Sequence, residues 1–179
     1  MDLERKFCGP GRAGLVSDGT QVEGYASLFG VADQGGDTVQ PGAFAASISS
    51  LAACGGRVKM LWQHDPGQPI GVRDEVREDG AGLFVRGRFL RDVVRGREAA
   101  VLVAAGAIDG LSIGYRARRA QKDDRGRRVL TELELWEVSL VTFPMLPEAR
   151  IGAKGEDPEA PLREMAAALR AASRDLAGG

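Results

Sequence analysis

The sequence predicts a mainly β protein with inserted helices: a closed or nearly closed barrel of about six or seven strands, followed by a separate C-terminal helix. Three observations carry this expectation. Short segments with strand-like patterning alternate with Gly- and Asp-containing turns between Val22 and Thr142. Two stretches within that span carry apolar residues at helical spacing instead, and the composition changes abruptly after Pro144 and Pro147.

Composition sets the limits. With 179 residues, 44% of them apolar and 27% charged, the chain has the make-up of an ordinary soluble globular protein with room for one substantial core. Twenty-four basic and 25 acidic residues leave a net charge of −1, so no global field recruits nucleic acid or an anionic membrane. No apolar run approaches the roughly 20 residues of a membrane span, and the charged start Met1-Asp2-Leu3-Glu4-Arg5-Lys6 lacks the apolar centre of a signal peptide. The expected setting is the cytoplasm, with neither nucleic acid nor membrane as partner. Cys8 and Cys54 are too few for a disulfide framework and lack zinc-site spacing, so both read as reduced thiols. Cys54, in Ala53-Cys54-Gly55-Gly56, reads as a small residue ending a helix rather than a nucleophile.

Along the chain, residues 1–20 are Gly-rich and aperiodic, an arm or irregular first strand. Val22 to Phe29 alternates as a strand, and Gly30 to Gly36 is a loop. Pro41-Gly42-Ala43-Phe44 opens a helix to about Ala53, with Phe44, Ile48 and Leu51 on one face and Gly55-Gly56 as its stop. Arg57 to Gln63, Ile70 to Arg77 and Gly82 to Leu90 are the next strands, forming a meander. Asp92 is placed to cap a helix to about Ala105, with Val93, Val94, Val101, Leu102 and Ala105 as buried candidates and Gly106 closing it. Leu111 to Arg119 and Arg128 to Thr142 form the last hairpin around Lys122-Asp123-Asp124-Arg125-Gly126. The barrel is thus expected over 21–151. Residues 152–179 form a Gly/Glu/Pro linker and an amphipathic helix from Pro161 to Leu176, either docked on the barrel or detachable toward a partner.

Histidine occurs once, in Leu61-Trp62-Gln63-His64-Asp65-Pro66, so chemistry that needs an imidazole must use His64. A lone histidine is more often an ordinary side chain, but this one sits where an apolar strand enters a Pro/Gly loop, a usual place for reactive groups. Gly110-Leu111-Ser112-Ile113-Gly114 satisfies G-x-S-x-G. A nucleophile elbow is nevertheless excluded, because a helix precedes the serine, a strand follows it, and no histidine lies downstream. What remains is a serine flanked by glycines, where a substrate backbone could come close, or simply a small residue in a tight helix-to-strand turn.

A serine nucleophile needs a base and a third group to orient that base. The third group is sought in Thr131 to Thr142. Strict alternation puts Leu133, Leu135, Glu137, Ser139 and Val141 on one face, and Glu132, Glu134, Trp136, Val138 and Leu140 on the other. A carboxylate at Glu137, among Leu135, Val138 and Val141, would be costly to bury unpaired and so asks for a partner. A Ser/Lys enzyme using Lys59 and a non-catalytic assembly barrel are the competing readings. A single histidine leaves too few ligands for a zinc hydrolase, and no cofactor is implied.

These segments resemble the prohead proteases of HK97-like tailed phages and gene transfer agents, distant fold relatives of the herpesvirus assemblins. The resemblance covers about residues 20 to 151. It is carried by Gly24-Tyr25-Ala26 with Phe29-Gly30, Pro41-Gly42-Ala43-Phe44, Leu61-Trp62-Gln63-His64-Asp65, Gly110-Leu111-Ser112-Ile113-Gly114-Tyr115 and Glu137-Val138-Ser139-Leu140-Val141-Thr142-Phe143-Pro144. It implies an assemblin-like barrel and a serine endopeptidase, often self-cleaving, that cuts a major capsid protein or scaffold segment inside the immature capsid. It also implies Ser112 as nucleophile, His64 as base and Glu137 as acid, in a chain expected to form homo-oligomers, a dimer among the options.

Overall fold

The computed structural model describes residues 15, 16 and 19–152. The elements run β1 (Leu15–Val16), β2 (Gln21–Leu28), β3 (Thr38–Val39), α1 (Ala45–Ala53), β4 (Lys59–Trp62), β5 (Asp65–Glu78), β6 (Gly82–Phe89), α2 (Val94–Ala104), β7 (Gly110–Lys122) and β8 (Arg128–Val141). The predicted strands and both internal helices are present. The helix expected at Pro161 to Leu176 lies outside the described residues, as does most of the 1–20 arm, of which Leu15 and Val16 pair with β2.

The strands form one sheet in the order β1-β2-β6-β5-β4-β8-β3, with β7 also paired to β8. Hairpin neighbours are antiparallel, whereas β4 and β3 both run parallel to β8. The gap between β7 and β2 is bridged by residues 149–152. Leu111 N–H donates to Ala149 O at 2.7 Å, Ile151 N–H to Asp109 O at 2.8 Å and Gly152 N–H to Glu23 O at 2.7 Å. The sheet is thereby closed at one end into a barrel. Only a glycine permits this approach at position 24, because a Cβ there would stand 2.2 Å from Arg150 O. The interior is filled by Phe44, Ile70, Leu83, Leu111, Leu130, Leu133, Leu135 and Leu140, all essentially inaccessible.

Two local expectations are corrected. Asp92 does not cap α2: Val93 occupies the cap position and no side chain bonds there. Nor do the expected residues make up the buried face: Val94 and Val101 are 61% and 66% exposed and Ala105 is exposed, while Gly96, Ala99, Ala100 and Val103 face the barrel. The reason is steric. A Cβ on residue 96 would lie 2.2 Å from Leu90 O and 2.7 Å from Ile70 O, so this helix comes so near the sheet backbone that only its small-residue face fits.

The second correction concerns β8. In the β7–β8 ladder Tyr115 pairs with Leu135 but Gly114 pairs with Glu137, leaving Trp136 as an extra residue, a β-bulge. Alternation therefore changes phase at Trp136. Leu133, Leu135, Val138 and Leu140 all join the core, opposite Ala117, Tyr115, Ile113 and Leu111. Glu134, Glu137 and Ser139 share the other face, opposite Arg116, Gly114 and Ser112. The strict period that separated Glu137 from Glu134 does not hold.

Candidate functional site

The site is assembled where β4, β8 and β7 lie side by side. Leu61 is paired with Ser139 and Ser139 with Ser112, so three neighbouring strands present one row. Directly opposed residues in such a ladder hold their Cβ atoms roughly 5 Å apart. Ser112 is buried with the rest of its strand start, and its hydroxyl has no hydrogen-bond partner among the described residues. Beside it opens a cavity of about 160 Å³ lined by Ala26, Leu28, Val39, Ile113 and Met145 together with Ser112 itself.

His64 arrives from the end of β4. The chain there takes two consecutive left-handed residues, Gln63 at φ 52° and His64 at φ 61°. Such backbone costs on the order of 1–3 kcal/mol per non-glycine residue and persists only where the surroundings impose it. The imposing contacts are visible. Gln63 N–H donates to Leu140 O at 3.0 Å, the Gln63 side-chain amide donates to Thr142 Oγ1 at 2.8 Å, and His64 N–H donates to Ser139 Oγ at 3.1 Å. The reversal turns the partly exposed imidazole back over β8, where His64 Nδ1 lies 2.5 Å from Glu137 Oε1. With Nδ1–H donated to a carboxylate, Nε2 is left as the free acceptor.

Glu137 is only 8% exposed, and both of its oxygens are engaged: Oε1 by His64 and Oε2 by the Ser139 hydroxyl, which donates at 2.6 Å. Burying a carboxylate is acceptable under these terms, because each oxygen has a donor. The bond to Glu137 raises the pKa of His64 above its ordinary 6.5, overcoming the opposite effect of partial burial, and the charge of Glu137 adds to the rise. Since the folded-state value is raised, the pair contributes most to stability below pH 6.5 and loses that contribution as pH climbs through the raised value.

Of the residues expected from sequence, His64 and Glu137 are joined by a hydrogen bond, and Ser112 stands on the adjacent strand opposite Ser139, which bonds to both. Lys59 is exposed on β4, and its side chain forms no hydrogen bond or ion pair among the described residues. Cys54 is exposed beyond α1. Ser139 is the residue that sequence reasoning passed over. Completely buried, it accepts from the His64 backbone and donates to Glu137, tying the two residues to one hydroxyl. The signal was present, since a serine two residues from a buried carboxylate on one strand shares its face. Ser139→Ala is expected to retain Ser112 and the fold but to lower turnover by about 10- to 100-fold, because one orphaned carboxylate oxygen and one unanchored backbone N–H blur the His64 position. Comparing kcat and melting temperature of the variant checks this.

The glycines of Gly110-Leu111-Ser112-Ile113-Gly114 have a steric role. A Cβ at position 114 would stand 2.2 Å from Glu137 Oε1, and one at position 110 would stand 2.5 Å from Val141 O. Gly114 is the clearance that admits the Glu137 side chain. Gly114→Ala should push Glu137 off His64, cost about 1–3 kcal/mol of stability and remove most activity. An active variant with unchanged His64 titration would refute this steric account.

A barrel that sets a serine on one strand, and a histidine held by a buried carboxylate on its neighbours, has the framework of a Ser-His-acid hydrolase. Residues 12–163 match the model of the Caudovirus prohead serine protease family, and the chain belongs to that family. It is 32% identical over 158 residues to the prohead protease of Enterobacteria phage HK97, a match covering 85% of this chain and 65% of that protein's length. Among solved structures it is similar to the bacteriophage T4 capsid assembly protease, with a TM-score of 0.56 at 15% identity, over 68% of this chain and 82% of that one, a likeness of fold. Varicella-zoster virus protease aligns with a TM-score of 0.45 at 14% identity, over 74% of this chain and 62% of that one.

Proposed function

We propose that the chain is a serine endopeptidase that cuts the major capsid protein or a scaffold segment within the immature capsid, with Ser112 as nucleophile, His64 as general base and Glu137 as the orienting acid. The observation that carries this reading is the 2.5 Å bond between His64 Nδ1 and Glu137 Oε1, formed beside the strand position opposite Ser112. His64 Nε2 takes the Ser112 proton as Oγ attacks the scissile carbonyl. The resulting imidazolium is stabilised by Glu137 and returns the proton to the leaving amine. Water then repeats the sequence on the acyl-enzyme. This requires a Ser112–His64 hydrogen bond, which the described residues do not form and which substrate binding would have to bring about. The cavity beside Ser112, lined by apolar side chains together with Asp33 and Asp37, supports a role in receiving a substrate side chain.

A fluorophosphonate provides the test. It should label Ser112 in the full chain and in Lys59→Ala, but not in His64→Ala. Labelling that survives loss of His64 and disappears with Lys59 would transfer the base to the lysine, and no labelling at all would favour a non-catalytic barrel. Co-expression with the cognate major capsid protein, followed by mass determination of both chains, would then read out the cleaved bonds.

A further inference from the structure

Arg73 is a buried charge that the Ser-His-acid scheme does not use. It belongs to β5, is 5% exposed, and reaches Val138 O with Nη2 at 2.8 Å. That carbonyl follows Glu137 directly in β8. The other two guanidinium nitrogens, Nε and Nη1, are buried with no hydrogen-bond partner among the described residues. No carboxylate among the described residues touches it, and the charge whose field reaches it is that of Glu137. Burial pushes its pKa down to about 10, which still leaves it cationic at neutral pH.

As a structural element this is a poor choice. An unpaired buried N–H costs free energy, and an apolar side chain of similar volume would serve packing better. Buried polar groups of this kind call for a reason other than stability.

We propose that Arg73 is a positioning residue of the site, a fixed cation held by its bond to the Val138 carbonyl against the strand that carries Glu137, whose field acts on the His64–Glu137 pair as a unit. The proposal rests on the Ser112, His64 and Glu137 reading above. The surroundings leave few alternatives for this role. His64 can neutralise Glu137 only when protonated, the state in which it is no base. Lys59, the register partner of Glu137 on β4, is exposed to solvent. Across β7 stand the uncharged Gly114 and Ser112, α1 contributes no charged residue, and Glu134 on the same strand is taken by Arg118. Among the described residues, Arg73 alone offers a permanent positive charge out of contact with solvent. A cation near the His64–Glu137 pair lowers the proton affinity of the pair as a whole, whichever member holds the proton, so it extends the working range of the base toward lower pH.

The test is the pH profile of inactivation by a fluorophosphonate, measured on the full chain for wild type, Arg73→Met, Arg73→Gln and Arg73→Lys. Both neutral variants should shift the acid limb upward by about one pH unit, the effect of a unit charge acting through a protein interior. On that limb the rate falls about tenfold while the alkaline plateau stays close to wild type. Arg73→Lys should keep the wild-type limb. Arg73→Met should melt no lower than wild type. A neutral variant with an unmoved acid limb overturns the proposal, and a lowered melting temperature alongside that would make Arg73 a structural residue. Should Arg73→Met fail to fold, Arg73→Gln decides, since it removes the charge while keeping a polar amide at this position. A wild-type chain that does not react at Ser112 would remove the catalytic reading itself, and this proposal with it, whereas reactive wild type with unmoved variants removes only the role of Arg73.

Discussion

Ser112→Ala is expected to leave a folded barrel that no longer processes any substrate, with a loss on the order of 10⁶ in turnover. The hydroxyl being removed has no hydrogen-bond partner among the described residues, so nothing in the fold relies on it. The substituted Cβ remains in the row formed with Ser139 and Leu61, and alanine is accommodated there without a new contact. Circular dichroism and thermal melting should match wild type, while co-expressed capsid protein keeps its full mass. An unfolded variant would show that Ser112 is structural. Retained cleavage would mean that another nucleophile does the work.

Glu137→Gln is the second large effect. An amide can still accept from one neighbour, but it cannot carry charge, and its NH₂ must be aimed at either His64 Nδ1 or Ser139 Oγ, both of which donate to the carboxylate now. The imidazole is then pressed toward the wrong tautomer, and turnover is expected to fall by up to about 10⁴. The acid limb of the rate profile moves down toward the ordinary histidine value, since the influence that raised His64 is gone. That direction is opposite to the one expected for the Arg73 variants, so the two effects are separable in one titration. Glu134→Gln is the control. Glu134 lies 2.6 Å from Arg118 on the partly exposed flank of β8, and its loss should change turnover little. Equal damage in the two glutamine variants would mean that the acid has been misassigned.

Much of this architecture is legible in the sequence. Strand patterning and turn residues locate the long strands because each buries one face, and the single histidine leaves no other imidazole base. Three features were not legible, each for a physical reason. β3 is two residues long and has no period to read. The buried face of α2 is set by how closely backbone approaches backbone, so hydropathy chose the valines and geometry chose Gly96, Ala99 and Ala100. The bulge at Trp136 has no compositional mark, because a bulged residue differs from its neighbours in pairing and not in type. The alternation argument that separated Glu137 from Glu134 therefore rested on a premise the ladder does not support. What distinguishes Glu137 from Glu134 is its place along the strand, level with the His64 turn and opposite the one glycine that leaves it room.

Trp136 also shows that the two faces of β8 do not depend on the extra residue. Its side chain is half exposed, with Arg116 over the ring, so many residues could replace it at little cost. Deleting it would leave Leu135 against Tyr115 and Glu137 against Gly114, and plain alternation would still send Leu135, Val138 and Leu140 inward and Glu137 and Ser139 outward. What the deletion would remove is the local bend and added twist of a bulge. A family alignment would therefore be expected to show a column here that varies in residue type and accepts a gap.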